Sequence, residues 1–227
     1  MFHVAKIEEF HYLQSLDNWP ILKNALTESN IGNPERYSAF PDSSGNLIHH
    51  AYSLFKFLNM NKLTLKNINT IFEFGGGYGS FCRLCYKLGF NGKYIIYDLP
   101  EFTALQKYFL RSVNPHIKIN SDNDNKKNEV KLISDISELK KVFENETKFD
   151  VFIALWSISE CPLPLRSQIL NSEITCSNYL FAFSDSFGGV NYQEYFSEFV
   201  ENKKNYIWKK SPIKHLQKNS YLFGYSN

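Results

Sequence analysis

Sulfur is scarce in this sequence, and an excess of either charge is missing. The 227 residues include two methionines and four cysteines, Cys82, Cys85, Cys161 and Cys176. Four cysteines in a chain this long do not make a disulfide framework, so reduced thiols and the cytoplasm are expected. Lys and Arg number 25 against 23 Asp and Glu, a formal net charge of +2. No single-signed field dominates, which argues against nucleic acid or an anionic membrane as partner. No apolar run is long enough to cross a bilayer. The segment Met1 to Phe10 scatters His, Lys and Glu where a signal peptide would be apolar. There is no internal repeat. What the chain does have is bulk: hydrophobic types make up 43% and aromatics 16%, enough for one large core.

The stretch that organises the rest is Ile71-Phe72-Glu73-Phe74-Gly75-Gly76-Gly77-Tyr78-Gly79-Ser80. It reads as a buried parallel strand, a glycine turn and the start of a helix. Three consecutive glycines permit positive φ and let a ligand lie against bare main chain. The helix that follows directs free N–H groups toward the same space. A carboxylate just before the turn, Glu73, gives nothing to a phosphate cradle; it suits a cationic or hydroxyl-rich ligand.

Around this stretch the pattern is orderly. Residues 1–30 read as helical, with Val4, Ile7, Phe10 and His11 on one face and Trp19-Pro20 opening a second helix. Asn30 to Gly45 reads as a loop, and Asn46 as the cap of a helix to about Asn59. From Asn69, strands at 69–74, 93–97, 129–134, 149–155 and 178–184 alternate with helices at 79–89, 101–111, 136–145 and 163–172. That alternation predicts a mostly parallel sheet covered on both faces. After a helix near 191–202, strands at 205–209 and 221–225 are too close for a parallel crossover and pair antiparallel. Asn120 to Asn128 is a polar insertion expected to be mobile. The expected organisation is a helical segment with a substrate-side loop over residues 1–65, then a ligand-binding domain over 66–227.

Two readings of the turn compete. Gly75, Gly77 and Ser80 approach G-x-G-x-x-G, but serine replaces the last glycine, and such a match is weak evidence for a nicotinamide dinucleotide. S-adenosylmethionine, with its sulfonium and ammonium, explains Glu73. Asp98, after the next strand, suits the ribose of either cofactor. The late strand pair fits the second fold better.

The segment Glu73-Phe74-Gly75-Gly76-Gly77-Tyr78-Gly79 resembles motif I of the class I S-adenosylmethionine-dependent methyltransferases. A wider set is similar to bacterial sugar O-methyltransferases of surface-polysaccharide pathways. It comprises Ser44 to Tyr52 (Ser-Gly-Asn-Leu-Ile-His-His-Ala-Tyr), the turn with Tyr78, Asp98-Leu99-Pro100, and Ser157-Ile158-Ser159-Glu160-Cys161-Pro162. Cys161 stands where that family has methionine. The resemblance implies an α/β Rossmann-like methyltransferase sheet, last strand antiparallel, with an N-terminal helical appendage. It implies S-adenosylmethionine as cofactor, S-adenosylhomocysteine as product, and a sugar or nucleotide-sugar acceptor. On this chain, Glu73, Gly75, Gly76, Gly77 and Tyr78 would face the methionine part and Asp98 the ribose. Leu99, Ser134 and Asp135 would surround the adenine, and Trp156 and Ser157 would border the methyl donor. Asp135 has an alternative reading as a helix N-cap.

An acceptor hydroxyl needs a base, and His50, His49 and Glu160 are the candidates. His50 lies at the edge of the Leu47–Leu54–Leu58 stripe while His49 points away, which favours His50. Tyr37 and Tyr78 could serve an acceptor pocket or the core. No ligand spacing asks for a metal, and Cys82-x-x-Cys85 sits inside a helix without a second pair. Another small acceptor, or a non-catalytic cofactor-binding subunit, are the competing functions. The oligomeric state is not set by the sequence; a homodimer is compatible with it.

Overall fold

The apolar run at 71–74 becomes the central strand of an eight-stranded sheet, because Phe72 and Phe74 on one face and Ile71 and Glu73 on the other are all buried. The computed structural model describes residues 2–121, 127–146, 148–172 and 174–227. The helices α1 (Phe2–Gln14) and α2 (Trp19–Ala25) precede a small hairpin, β1 (Arg36–Tyr37) and β2 (Phe40–Ser44), and then α3 (Gly45–Asn61). The sheet-forming part follows as β3 (Thr70–Phe74), α4 (Ser80–Lys87), β4 (Lys93–Tyr97), α5 (Pro100–Val113), β5 (Lys118–Ile119) and β6 (Glu129–Ile133). It continues with α6 (Ile136–Asn145), β7 (Lys148–Leu155), α7 (Ser157–Glu160), α8 (Leu163–Leu170) and β8 (Thr175–Ser184). A second hairpin, β9 (Ser186–Phe187) and β10 (Val190–Asn191), leads to α9 (Tyr192–Asn202), β11 (Tyr206–Pro212) and β12 (Asn219–Ser226).

The strand order is β11-β12-β8-β7-β3-β4-β6-β5. All neighbours from β8 to β5 are parallel; β12 is antiparallel to both β8 and β11. The expected late antiparallel pair is therefore present, with the last strand inserted beside β8. The chain first builds outward from β3 to β4 and β6, then returns to place β7 on the other side of β3. That reversal opens a crevice at the carboxyl ends of β3, β4 and β7, where open α/β sheets bind ligands.

Two buried clusters cover the faces. One joins Phe72, Phe152 and Phe181 of the sheet to α6, α8 and α9. The other joins Ile71, Tyr94 and Ile96 to α4, and the same cluster continues through α3 into α1 and α2. The helix α3 is covered by α1 on one side and α4 on another, so little of it is left for solvent.

Two expectations in the N-terminal part change. The stretch 30–45, rich in Gly, Pro and Ser, holds the β1–β2 hairpin rather than loop alone. Ser44, not Asn46, caps α3: its Oγ accepts from the Leu47 amide at 3.0 Å and donates to the buried Glu28 carboxylate at 2.5 Å. Of the polar insertion at 120–128, residues 122–126 lie outside the described residues, as does the side chain of Val4. Among the described residues no helix is long and apolar enough to cross a membrane.

Candidate functional site

Beyond β3 the backbone turns through three left-handed glycines, Gly75 at φ +75°, Gly77 at +55° and Gly79 at +92°, before α4 begins. The Gly75 amide donates to the Tyr97 carbonyl at 2.9 Å, which seats the turn on the end of β4. A Cβ on Gly75 would lie 2.3 Å from the Ser157 Cβ, so only glycine fits there. Ser157 in turn donates its Oγ to the Phe74 carbonyl. A Cβ on Gly77 would meet nothing within 4 Å. That open side is where a ligand could approach bare main chain.

Asp98 follows β4 directly and is drawn into the turn. Its Oδ2 accepts from the Gly77 amide at 3.0 Å and from Gln106 at 2.9 Å, and its Oδ1 accepts from the Leu99 amide at 2.8 Å. Gln106 also donates to the Gly77 carbonyl at 2.8 Å. Burial raises the Asp98 pKa from its ordinary value, and these hydrogen bonds oppose the rise.

Glu73 is 3% exposed and lies beneath the turn, its Oε2 only 3.1 Å from where a Gly76 Cβ would stand. Its oxygen partner is the Tyr94 hydroxyl, which donates at 2.8 Å. Burial pushes the Glu73 carboxyl up to about 8; the Tyr94 hydrogen bond opposes this and the charge of Asp98 adds to it.

At the lip, Leu99 directly precedes α5 and keeps 59% of its surface exposed. Asp135 caps α6, its Oδ1 accepting from the amides of Ser137 and Glu138 at 2.8 and 3.1 Å and from the Ser137 hydroxyl. Those hydrogen bonds, the Ser137 hydroxyl first, lower its pKa. Its capping reading thus has direct geometry behind it. Ser134 sits half-buried beside it. Trp156 follows β7 with φ +64°, a strained angle for an aromatic residue of the kind that collects at sites. Its indole N–H donates to Asn219 at 2.6 Å.

The histidines separate sharply. His50 packs edge-on against Phe81, with ring centroids 5.5 Å apart, and its Nδ1 is shielded and unpartnered. Burial, with His49 and Lys6 nearby, pushes its pKa down to about 3. His49 instead lies on the indole of Trp156, centroids 5.1 Å apart, and its Nδ1 contacts the carboxylate of Glu9. The position of the α3 apolar stripe pointed to His50. The side of α3 that carries His49 is covered by α1, whose Glu9 meets it.

Glu160 does not end a strand. It closes the short helix α7, is exposed, and has its pKa raised by burial of its surroundings. Cys82 and Cys85 are buried free thiols of α4, pushed well up by that burial. Glu9 and His215 had no signal in the sequence: positions 9, 49 and 215 meet only in three dimensions. A cavity of about 620 Å³ lies over the N-terminal end of α3 and meets the glycine turn through Tyr78. Tyr37, Tyr108 and Phe109 give it aromatic walls, and Lys6, Arg36 and Asn46 give it polar ones. Its walls do not include Asp98 or the glycines themselves, so it adjoins the turn rather than coinciding with it.

No family model matches the chain, and no curated protein does. Solved structures do share its fold. A candidate RNA methyltransferase from Pyrococcus horikoshii, PH1948, superposes with a TM-score of 0.53 at 12% identity, covering 97% of this chain and 96% of that one. An O-methyltransferase family protein from Burkholderia thailandensis gives 0.51 at 13%, covering 98% and 71%. The precorrin-6y C5,15-methyltransferase of Geobacter metallireducens gives 0.53 at 12%, covering 88% and 97%. At these identities the likeness is one of fold, the Rossmann-like sheet of class I methyltransferases.

One expectation is corrected by this comparison. Nucleic acid was set aside because the net charge is only +2. The nearly full-length Pyrococcus neighbour is described as acting on RNA, so the fold at this size admits that partner. A charge sum over a whole chain does not report how charge is arranged on one face.

Proposed function

We propose that this chain is an S-adenosylmethionine-dependent O-methyltransferase whose acceptor is a hydroxyl of a sugar or nucleotide sugar, as in glycan precursors for a cell surface. The observation that carries the reading is the turn itself. Left-handed glycines with one open side are clamped by Asp98 and underlain by Glu73, at the sheet's switch point. The fit is chemical as well as spatial: two carboxyl groups suit a ligand with an ammonium, a sulfonium and a ribose. When bound, S-adenosylmethionine supplies a methyl group on a good leaving group. Asp98 and the Gly77 backbone would hold the nucleoside, Leu99 its base, and Trp156 and Ser157 the methyl-bearing end.

The residues of the chain then supply alignment and a base. Correct placement of two reactants can be worth about 7–11 kcal/mol of barrier. His49 is the base this geometry favours, because it borders Trp156 and is held by a carboxylate, whereas His50 at about 3 is a weak proton acceptor. The cavity beside Tyr78 would seat the acceptor, its rings offering faces to a sugar and its polar side chains offering partners to hydroxyls. On this reading residues 1–65 form the acceptor side and residues 66–227 the cofactor side.

An RNA acceptor is a second reading, favoured by the Pyrococcus neighbour. Incubation with methyl-labelled S-adenosylmethionine and a panel of sugars, nucleotide sugars and structured RNAs separates them. Label in a sugar supports the first reading, and label in RNA alone replaces it with the second. Label in neither, with the cofactor bound, favours a non-catalytic subunit.

A further inference from the structure

Glu9 lies outside the glycine turn, is 1% exposed, and receives two imidazoles on one oxygen. Its Oε1 contacts His49 Nδ1 and lies 2.9 Å from His215 Nε2, which comes from the connection between β11 and β12. Burial, the largest single effect, would raise the Glu9 carboxyl, but the hydrogen bonds from His215 and His49, with the charges of His49 and Lys6, together hold the pKa at about 2. The surrounding charges are few. Lys6 Nζ stands 3.9 Å from Oε2, Glu8 stands 3.6 Å from His215 Nδ1, and His50, Tyr37, Tyr52 and Tyr221 are further titratable neighbours.

An ionised carboxylate can only accept hydrogen bonds. The ring nitrogen facing it must carry the hydrogen, so a neutral His49 has its proton on Nδ1 and its lone pair on Nε2. No hydrogen bond holds Nε2 among the described residues. The ring also packs at a tilt of 43° against Trp156, itself fixed by Asn219.

We propose that Glu9 is a positioning residue: it fixes His49 as the Nδ1–H tautomer, leaving Nε2 as the atom that takes the acceptor's proton, while His215 steadies Glu9. The role in turnover rests on the reading of His49 as the base. In that step the acceptor O–H bond breaks and an N–H bond forms at Nε2. The resulting imidazolium is balanced by the Glu9 carboxylate until the proton passes to water. Glu9 thereby joins residues 9, 49 and 215 into one unit at the edge of the site.

Nitrogen-15 NMR of the full chain labelled in histidine tests this without any acceptor. The His49 resonances are assigned by their loss in His49→Gln. In mildly alkaline buffer the wild-type ring is expected to show a protonated Nδ1 and a bare Nε2. Glu9→Leu, which removes the acceptor atom, is expected to abolish that single tautomer, and Glu9→Gln, which keeps an acceptor oxygen, to restore it at least in part. A proton on Nε2 in the wild type, or an unchanged tautomer in folded Glu9→Leu, overturns the proposal. Should Glu9→Leu not fold, the wild-type spectrum alone decides. The expected tautomer in a chain that fails to bind S-adenosylmethionine would sink the functional reading and leave Glu9's hold on His49 intact.

Discussion

The Gly77 amide and the Asp98 carboxylate, 3.0 Å apart, tie the turn after β3 to the end of β4. Hydrogen bonds to a charged group are worth about 1.5–3 kcal/mol each. Asp98→Ala removes this one together with those from Gln106 and the Leu99 amide. Affinity for S-adenosylhomocysteine is expected to fall at least ~10-fold by calorimetric titration, since about 1.4 kcal/mol is a factor of ten. Asp98→Asn, which keeps an acceptor oxygen, should lose less. Full affinity in Asp98→Ala would remove Asp98 from the site.

Gly75 and Gly77 share a left-handed backbone but differ in space. Alanine in that conformation costs roughly 1–2 kcal/mol at either position. Gly75→Ala adds a collision with Ser157, while Gly77→Ala meets open space. Urea unfolding should therefore show Gly75→Ala as clearly the less stable. Gly77→Ala should fold and lose cofactor affinity instead, because its methyl enters the open side of the turn. Equal stability losses would contradict the packing of Ser157 on Gly75.

His49→Gln is expected to lower turnover by ~10²–10⁴-fold with cofactor affinity retained. His50→Leu, in an apolar setting against Phe81, should keep most of the turnover. Release of S-adenosylhomocysteine in the presence of a competent acceptor measures both. The reverse ranking would return the base to His50.

Two buried carboxyls set opposite pH trends. Glu73, at about 8 in the folded chain against an ordinary 4.5, favours folding while protonated. That contribution is full below pH 4.5 and is lost as pH rises to about 8. Glu9, at about 2, favours folding while ionised, and its contribution is lost as pH falls from 4.5 to about 2. Glu73→Gln should flatten the decline in melting temperature between pH 4.5 and about 8, and Glu9→Gln the decline between pH 4.5 and about 2. At neutral pH a cationic ligand near Glu73 should expel its proton. Calorimetry in buffers of different ionisation enthalpy would then give a non-zero slope, and a flat response would separate Glu73 from the ligand's charge.

Much of this was legible in the residues. The short apolar run around Ile71–Phe74, the glycine triplet and the alternation after Asn69 pointed to the sheet, because its inner strands are buried on both faces and so read as mostly apolar runs. The antiparallel end followed from too short a connection between Lys209 and Tyr221. The hairpin at 36–44 was illegible because its strands are two and five residues long and paired through Arg36 and Ser44. The surroundings of His49 and His50 were illegible for a different reason. Helical periodicity locates one apolar face, and α3 is buried on more than one. Glu9 and His215 left no trace, since contacts across such separations are set by packing and not by local pattern.

The reading as a whole stands or falls on what occupies the glycine turn. Equilibrium dialysis of the purified chain against labelled S-adenosylmethionine, with NAD as competitor, measures this directly. One molecule bound per chain, undisturbed by NAD and weakened in Asp98→Ala, is the predicted result. A folded chain that takes up no S-adenosylmethionine, or yields it to NAD, would contradict it.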